Sequence, residues 1–134
     1  MSQTGARFAA AATDLVGVPF RLHGHDPAFG LDCVGVVIAS LRAIGRDPVL
    51  ARPYRLRTLS IEPFLELARQ QGAQAATGAT EAGDVLLVRP GPGQHHLLVA
   101  ADAVHFVHAH AGLRRVTLTP APLPWTPVRR WRLP

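Results

Sequence analysis

The sequence predicts an α+β domain in which the helices come first and an antiparallel sheet follows. Apolar residues repeat at helical spacing up to about residue 72, whereas short apolar runs separated by turn residues dominate after residue 83. Hydrophobic residues make up 48% of the chain and charged residues 17%, which indicates a packed core. The length of 134 residues favours one domain over 1–134. We therefore expect N-terminal helices, one buried in the centre, packed on a sheet of about five to six strands.

Three helices are predicted. Residues 3–16 form the first, because their apolar side chains fall on one helical face. Residues 33–44 form the second, which is apolar around most of its circumference and should be buried, with Gly45 as a C-cap. The third begins at Ser60 as N-cap and stops at Gly72.

Loops and strands fill the rest of the chain. Residues 47–60 are rich in Pro and Arg and predict a loop. A tight turn near Asp102 makes the two strands on either side of it an antiparallel pair, which places His96 opposite His108 or His110. The predicted strands are DVLLVR (84–89), HHLLVAA (95–101), VHFVHAHA (104–111), RRVTLT (114–119) and VRRWRL (128–133).

The charge of the chain favours an anionic partner. The net charge is +5, and all fourteen basic residues are Arg. Arg114 and Arg115, like Arg129 and Arg130, form adjacent pairs that suit a cell-wall polymer or an acidic protein. A GC-rich genome that encodes Arg in place of Lys explains the composition equally well. Nucleic acid is not an expected partner, because aromatic residues are only 6% and no basic stripe is interleaved with them.

The chain shows no transmembrane segment and no secretion signal. No run reaches the roughly 18 apolar residues that a membrane span needs. The start, MSQTGARFAAAATDLVG, lacks a charged region followed by a proper apolar stretch. We therefore expect synthesis in the cytoplasm without a signal peptide. A single cysteine cannot form an internal disulfide, so the fold must be stable without cross-links.

The lone cysteine, Cys33, lies where a loop rich in Gly, Pro and Asp meets the second helix. Backbone N–H groups at a helix start carry partial positive charge and favour the thiolate, which is the nucleophilic form. Its pKa should therefore fall below that of a free cysteine. The alternative is a buried structural residue, which is the commoner role of a free cysteine.

Seven histidines accompany this cysteine, five of them in two neighbouring strands. A cysteine nucleophile needs a base, and the base needs a group that orients it, so Cys33, His96 and His108 fit those three roles. Zinc is the alternative for the His-x-His pairs that begin at His23 and His108. No HExxH or paired CxxC motif is present, so neither a metal nor another cofactor is expected. The remaining histidines are surface or supporting residues on the plainest interpretation.

Five segments in order resemble the NlpC-type cell-wall peptidases, which are papain-like cysteine enzymes of bacteria and their phages. They are GVPFRLHG, GLDCVGVV, AGDVLLVR, HLLVA and FVHA. The resemblance covers residues 3 to about 133 and implies a papain-like fold. It implies that Cys33 is the nucleophile, His96 the general base and His108 the orienting residue. The implied reaction is hydrolysis of an amide in a peptidoglycan stem peptide, such as the bond between D-glutamate and the diamino acid.

The resemblance also implies where substrate binds, and the chain departs from the pattern there. Asp32 matches a family position that engages the peptide part of the substrate. Phe20 replaces the family's active-site tyrosine, and Val34 replaces the serine after the nucleophile. His23 or His25, in the same loop as Phe20, is a candidate for the missing hydrogen-bond donor.

The compact chain resembles the phage-type members, which are carried on a tail or a tail-like particle such as a gene transfer agent. Tail or tail-hub proteins are then expected partners beside peptidoglycan. The departures at Phe20 and Val34 leave a second hypothesis open, in which a weak or inactive papain-like domain serves as a structural component of the tail hub. A third hypothesis keeps the fold and replaces hydrolysis by acyl transfer or lipid-amide chemistry.

Overall fold

A computed structural model of the chain describes residues 2–50, 54–55 and 60–134, so the predicted loop at 47–60 lies partly outside the described residues. The α+β prediction is confirmed, with helices preceding a six-stranded antiparallel sheet. The helices among the described residues are α1 (Gln3–Thr13), α2 (Cys33–Ala43) and α3 (Glu62–Gln70).

The predicted helices are confirmed, and their ends differ by a few residues for local reasons. α1 ends at Thr13, because Leu15 N–H bonds the Ala12 carbonyl and so tightens the last turn. α3 has Ile61, not Ser60, at its N-cap position, so the predicted cap is wrong. The Ser60 hydroxyl still accepts a hydrogen bond from the Glu62 N–H at 3.3 Å, one residue outside the helix.

The strands form one large sheet and one small hairpin. The strands are β1 (His25–Asp26), β2 (Gly30–Leu31), β3 (Gln74–Ala75), β4 (Val85–Arg89), β5 (His96–Ala100), β6 (His105–His110), β7 (Arg115–Pro120) and β8 (Thr126–Arg132). β1 and β2 pair with each other, and the large sheet has the order β3-β8-β4-β5-β6-β7. The five longer strands are those that the sequence predicts, whereas the three two-residue strands are too short to show a period of two.

The two faces of the sheet carry separate hydrophobic clusters. Val99 pairs with Val107 and both pack in the main core with α2, which is buried from its first residue to Leu41. Leu98 and Phe106 point to the other face, where they pack with Trp125. The register agrees with the sequence prediction to within one position, and it places His96 of β5 on the same face as His108 and His110 of β6.

Buried Asp84 ties the last strand to the segment that precedes β4. Its carboxylate receives two hydrogen bonds from Arg132, at 2.8 and 2.9 Å. Arg130 also extends over this segment and donates to the Thr80 hydroxyl at 2.9 Å. A fully buried carboxylate needs such a partner, and the fork of an Arg side chain matches its geometry.

Both edges of the sheet are short or covered. The outer edge of β7 accepts the segment before the first hairpin, since Gly17 N–H bonds the Val116 carbonyl and Val116 N–H bonds the Val18 carbonyl. Pro19 forms an isolated bridge to Arg115 in the same place. At the opposite edge, β3 is two residues long. Among the described residues, no helix is long and apolar enough to cross a membrane.

Candidate active site

A cleft of about 240 Å³ lies between the start of α2 and the ends of β5 and β6. It brings together all three residues predicted for catalysis. The lining residues are Phe20, Cys33, Pro90, His96, His108, Ala109, His110, Ala111, Gly112 and Trp125. We call it the Cys33 cleft.

Cys33 is the first residue of α2, and the fold fixes this helix start firmly. Asp32 is the N-cap, with one carboxylate oxygen accepting the Gly35 N–H at 2.7 Å. Gly35 lies against the loop before the helix, because a Cβ on Gly35 would come 1.9 Å from the Gly24 carbonyl oxygen. Only glycine permits this close approach of two backbone segments.

The prediction that the pKa of Cys33 is lowered is wrong for this cleft. Burial raises the pKa of the thiol to about 12, the neighbouring Asp32 carboxylate adds to the rise, and backbone hydrogen bonds from Leu97 and Val34 oppose it. The side chain is only 1% exposed, so desolvation of the thiolate outweighs the helix start. The resting cysteine is a neutral thiol.

The two strand histidines form a hydrogen-bonded chain with a threonine. His96 Nε2 lies 2.9 Å from His108 Nδ1, and His108 Nε2 lies 2.8 Å from the Thr119 hydroxyl. When His96 Nε2–H donates to His108 and His108 Nε2–H donates to Thr119, the Nδ1 atom of His96 is left as a free acceptor. The hydrogen bond to His108 fixes the orientation of the His96 ring, and in this tautomer His96 could accept a proton at Nδ1.

Cys33 and His96 share the cleft without being hydrogen-bonded to each other. In the described part of the chain, the hydrogen bond of the His96 ring is the one to His108. His96 is the first residue of β5 and lies on the sheet face opposite the main core, so its ring enters the cleft around the strand end. The structure thus places the three predicted residues at one cleft, and their catalytic roles stay predictions.

Burial keeps both histidines neutral. The pKa of His96 is lowered to about 3, mainly by desolvation and then by the neighbouring His108 and His110. The pKa of His108 is lowered to about 4 by desolvation and by His110. A neutral imidazole is the form that accepts a proton, so His96 is available as a base at neutral pH.

Trp125 covers the pair of histidines and was not among the predicted site residues. Its ring lies edge-to-face with His96 and with His108, with 5.6 Å between ring centroids in each case. An indole in this position reduces the access of water to the His96–His108 hydrogen bond. Neither Trp125 nor Thr119 belongs to a recognisable motif. The pairing of β6 with β7 brings Thr119 to His108, and the connection between β7 and β8 brings Trp125.

The residues predicted for substrate binding divide into two groups. Phe20 lines the Cys33 cleft. His23 and His25 instead contact Tyr54, with His23 Nε2 3.0 Å from the Tyr54 carbonyl oxygen and His25 Nε2 2.8 Å from the hydroxyl. Neither is among the described residues that line the cleft, and their roles in binding stay predictions.

Asp32 is fully buried, and protein groups occupy both of its carboxylate oxygens. One oxygen caps α2, and the other accepts the His23 N–H at 2.8 Å together with the Tyr54 hydroxyl. Burial and the hydrogen bond to Asp32 raise the pKa of Tyr54. In this structure Asp32 fixes the helix start and the Tyr54 segment, and contact between Asp32 and a substrate remains a prediction. Tyr54 was missed because its partner is 22 residues away.

Among the described residues, no group of three His, Cys, Asp or Glu side chains is placed to hold a metal ion. The described partners of the His-x-His pairs are protein atoms and neighbouring rings. His23 and His25 contact Tyr54, and His108 contacts His96 and Thr119.

The fold is similar to that of several solved structures. No family model matches the chain, and no curated protein does. The NlpC/p60 domain of the peptidoglycan hydrolase SagA aligns with a TM-score of 0.67 at 23% identity, over 96% of this chain and 98% of that one. NlpC2 from Trichomonas vaginalis aligns with a TM-score of 0.72 at 15% identity, over 98% of this chain and 49% of that one.

A third similar structure is the peptidoglycan hydrolase RipB from Mycobacterium tuberculosis, with a TM-score of 0.60 at 20% identity over 97% of this chain and 64% of that one. The chain therefore spans about half the length of the Trichomonas protein and about two thirds of RipB. The order of helices and strands, the buried helix that begins at the cysteine and these likenesses lead to one conclusion. The chain has the papain-like α+β fold of NlpC/p60 domains.

Proposed function

We propose that the chain hydrolyses an amide bond in peptidoglycan stem peptides, with Cys33 as nucleophile, His96 as general base and His108 as the orienting residue. The observation that carries the proposal is the Cys33 cleft, which is lined by the cysteine at the start of α2 and by the hydrogen-bonded His96–His108 pair. The likeness to two peptidoglycan hydrolases supports the substrate class. The net charge of +5 suits an anionic polymer.

The arrangement supports a two-step reaction through an acyl-enzyme. His96 Nδ1 accepts the thiol proton as the Cys33 sulfur attacks the amide carbonyl, and His96 then donates that proton to the leaving amine. N–H groups at the start of α2 stabilise the oxyanion that forms in between. Water, deprotonated by the same imidazole, hydrolyses the thioester and restores the thiol. His108 and Thr119 hold the imidazole in place through both steps.

The proton is transferred at the moment of attack, because the resting site is neutral. Burial raises the pKa of Cys33 and lowers the pKa of His96, so a thiolate–imidazolium pair is not favoured in the closed cleft. Substrate that enters the cleft draws sulfur and imidazole together. Trp125 then lies beside an imidazolium that exists only during turnover.

Purified stem peptides test the proposal directly. The chain is incubated with peptides containing the D-glutamate–diamino acid amide, and the products are identified by mass spectrometry. We expect cleavage by the native chain and none by Cys33→Ser. The control variant His105→Ala, which changes a partly exposed histidine paired with Asp102, should cleave normally. Cleavage by Cys33→Ser at the native rate would contradict the nucleophile assignment.

A weak or inactive domain with a structural role is the second candidate function. It is favoured by the neutral resting thiol, by the absence of a Cys33–His96 hydrogen bond among the described residues, and by Phe20 where the family pattern has tyrosine. This candidate predicts no cleavage of any stem peptide by the folded native chain. It also predicts that a tail-like particle assembles with Cys33→Ser and fails to assemble without the domain.

For its setting, we propose carriage on a phage tail or tail-like particle after synthesis in the cytoplasm. Exposed Arg114, Arg115 and Arg129 support docking to an acidic partner protein. Mass spectrometry of purified tail particles from the source cells tests this point. Recovery of the chain only outside such particles would contradict carriage on a tail and would not affect the hydrolase proposal.

A further inference from the structure

A third imidazole, that of His110, lines the Cys33 cleft and has no role in the reaction described above. It lies two residues after His108 on the same side of β6, with 5.6 Å between the two ring centroids. His110 is half-buried at the end of the strand, so its ring is reachable from the cleft.

The turn after β6 fixes the orientation of this ring. Leu113 N–H donates to His110 Nδ1 at 3.0 Å. A Cβ on Gly112 would lie 3.0 Å from Cε1 and 3.3 Å from Nδ1 of His110, so this edge of the ring packs against the turn. Because Nδ1 accepts, the neutral ring carries its proton on Nε2. Nε2 has no hydrogen-bond partner among the described residues and is the polar atom that His110 offers to a ligand.

The rest of the cleft wall has little with which to bind polar groups. Apart from Cys33 and the three histidines, the described lining residues are Phe20, Pro90, Ala109, Ala111, Gly112 and Trp125. None of these residues carries a charged group, and Cys33, His96 and His108 already have roles in the proposed reaction. Among the described lining residues, the His110 imidazole and the Trp125 indole N–H are therefore the polar groups left to recognise a substrate, and the imidazole is the one whose orientation the turn fixes.

A carboxylate is the acceptor that gains most from this donor. Hydrogen bonds to ionised acceptors are shorter and stronger than those to neutral ones. An ammonium group would find no acceptor at Nε2 and would meet a second donor. Discrimination by charge therefore follows from the orientation that Leu113 imposes.

We infer that His110 is a specificity-determining residue that selects substrates with a free carboxylate next to the scissile amide over those with a carboxamide there. The inference rests on the proposed function, because stem peptides carry such a carboxylate beside the amide. His110 acts on the substrate and not through His108, which separates it from a positioning residue.

Two stem peptides that differ only in this group, free carboxylate or carboxamide, test the inference. We expect the native chain to cleave the carboxylate form with a kcat/KM at least about tenfold higher, the size that one hydrogen bond to a charged group supplies. His110→Ala should lose the preference, while His110→Gln, which keeps an N–H donor, should retain part of it. His105→Ala, outside the cleft, is the matched control and should keep the full preference.

The outcomes separate this inference from the proposed function. An equal loss on both peptides in His110→Ala would mean that His110 supports the catalytic histidines, and the inference would be overturned. If the native chain cleaves neither peptide, the hydrolase proposal fails, and calorimetric binding to Cys33→Ala then decides on the inference. The inference is supported if Cys33→Ala binds the carboxylate peptide more tightly than the carboxamide peptide and the double variant Cys33→Ala/His110→Ala binds both equally. It is overturned if Cys33→Ala binds both peptides equally or binds neither.

Discussion

Cys33 combines two opposing influences on its sulfur. The start of α2 and its backbone N–H groups favour the thiolate, whereas burial and the Asp32 carboxylate disfavour it more strongly. The site therefore keeps a neutral thiol beside a neutral base, and reactivity depends on what enters the cleft. Such a cysteine is protected from adventitious oxidation, because oxidants attack exposed thiolates first.

The reactivity of Cys33 toward iodoacetamide should be low and strongly dependent on pH. At pH 7.5 we expect alkylation slower than that of a free cysteine, with a rate that rises about tenfold per pH unit up to pH 10, because the thiolate fraction rises at that rate below the pKa. Asp32→Asn keeps a cap for α2 and removes a negative charge, so it should label faster. Mass spectrometry gives both rates, and labelling faster than a model thiol would contradict the raised pKa.

The pH profile of cleavage should lack an acid limb near the ordinary histidine pKa. His96 must be neutral to accept a proton, and its pKa is lowered to about 3, so activity is retained as pH falls below 6.5 and is lost only near the lowered value. The measurement is kcat/KM for a stem peptide between pH 4 and 9. A steep fall between pH 7 and 6 would show that His96 titrates normally.

At the scale of the elements, the position of the cysteine depends on backbone contact between α2 and the loop before it. The Gly24–Gly35 approach leaves no room for a side chain, and Asp32 joins this loop, the helix and Tyr54 through its two oxygens. Glycine at position 35 therefore follows from packing. The same contacts place the helix N–H groups beside the cleft, where the oxyanion would form.

Gly35→Ala should destabilise the chain severely, because a Cβ would meet the Gly24 carbonyl oxygen at 1.9 Å. We expect a loss of about 3 kcal/mol or more in the free energy of unfolding, since overpacking against backbone cannot relax as a side chain can. Urea denaturation followed by circular dichroism measures it. Gly91→Ala is the control, because its Cβ meets the flexible end of Gln94 at 3.3 Å. Equal stability of the two variants would rule out the tight backbone contact.

At the scale of the whole molecule, the class, the main helices and the five longer strands were predictable because each carries a periodic apolar pattern. Cys33, His96 and His108 were predictable because helix start and strand register bring them to one cleft. The contacts of Tyr54 with Asp32, of Thr119 with His108 and of Trp125 with His96 were not predictable, because distant segments make them without a local signal. The thiol pKa was mispredicted because a helix start is visible in sequence, whereas burial is a property of the packed chain.

Acid should destabilise the whole fold through its buried histidines. The pKa values of His96 and His108 are lowered to about 3 and about 4, so from pH 6.5 downward the unfolded chain binds protons that the folded chain does not. Stability is full above pH 6.5 and is lost as pH falls toward 4, at about 1.4 kcal/mol per pH unit for each such proton.

Urea midpoints at pH 7 and pH 4.5 measure this loss. In His96→Asn, the free energy of unfolding should depend less steeply on pH. Asparagine does not titrate, so this variant takes up about one proton fewer on unfolding. His105→Ala serves as the control, because His105 begins β6 next to Asp102 and its side chain is 43% exposed. A pH dependence that His96→Asn leaves unchanged would mean that the acid sensitivity arises elsewhere.

The short and covered strands at the sheet margins have a consequence for how copies of this chain behave together. The outward N–H and carbonyl groups of Val116 form hydrogen bonds with residues 18 and 17. In addition, β7 ends in a proline and β3 is only two residues long. Among the described residues, these features shorten the rows of unpaired backbone groups on which a second copy could add a strand. We therefore expect strand addition between crowded copies to be limited to short stretches of the sheet margins.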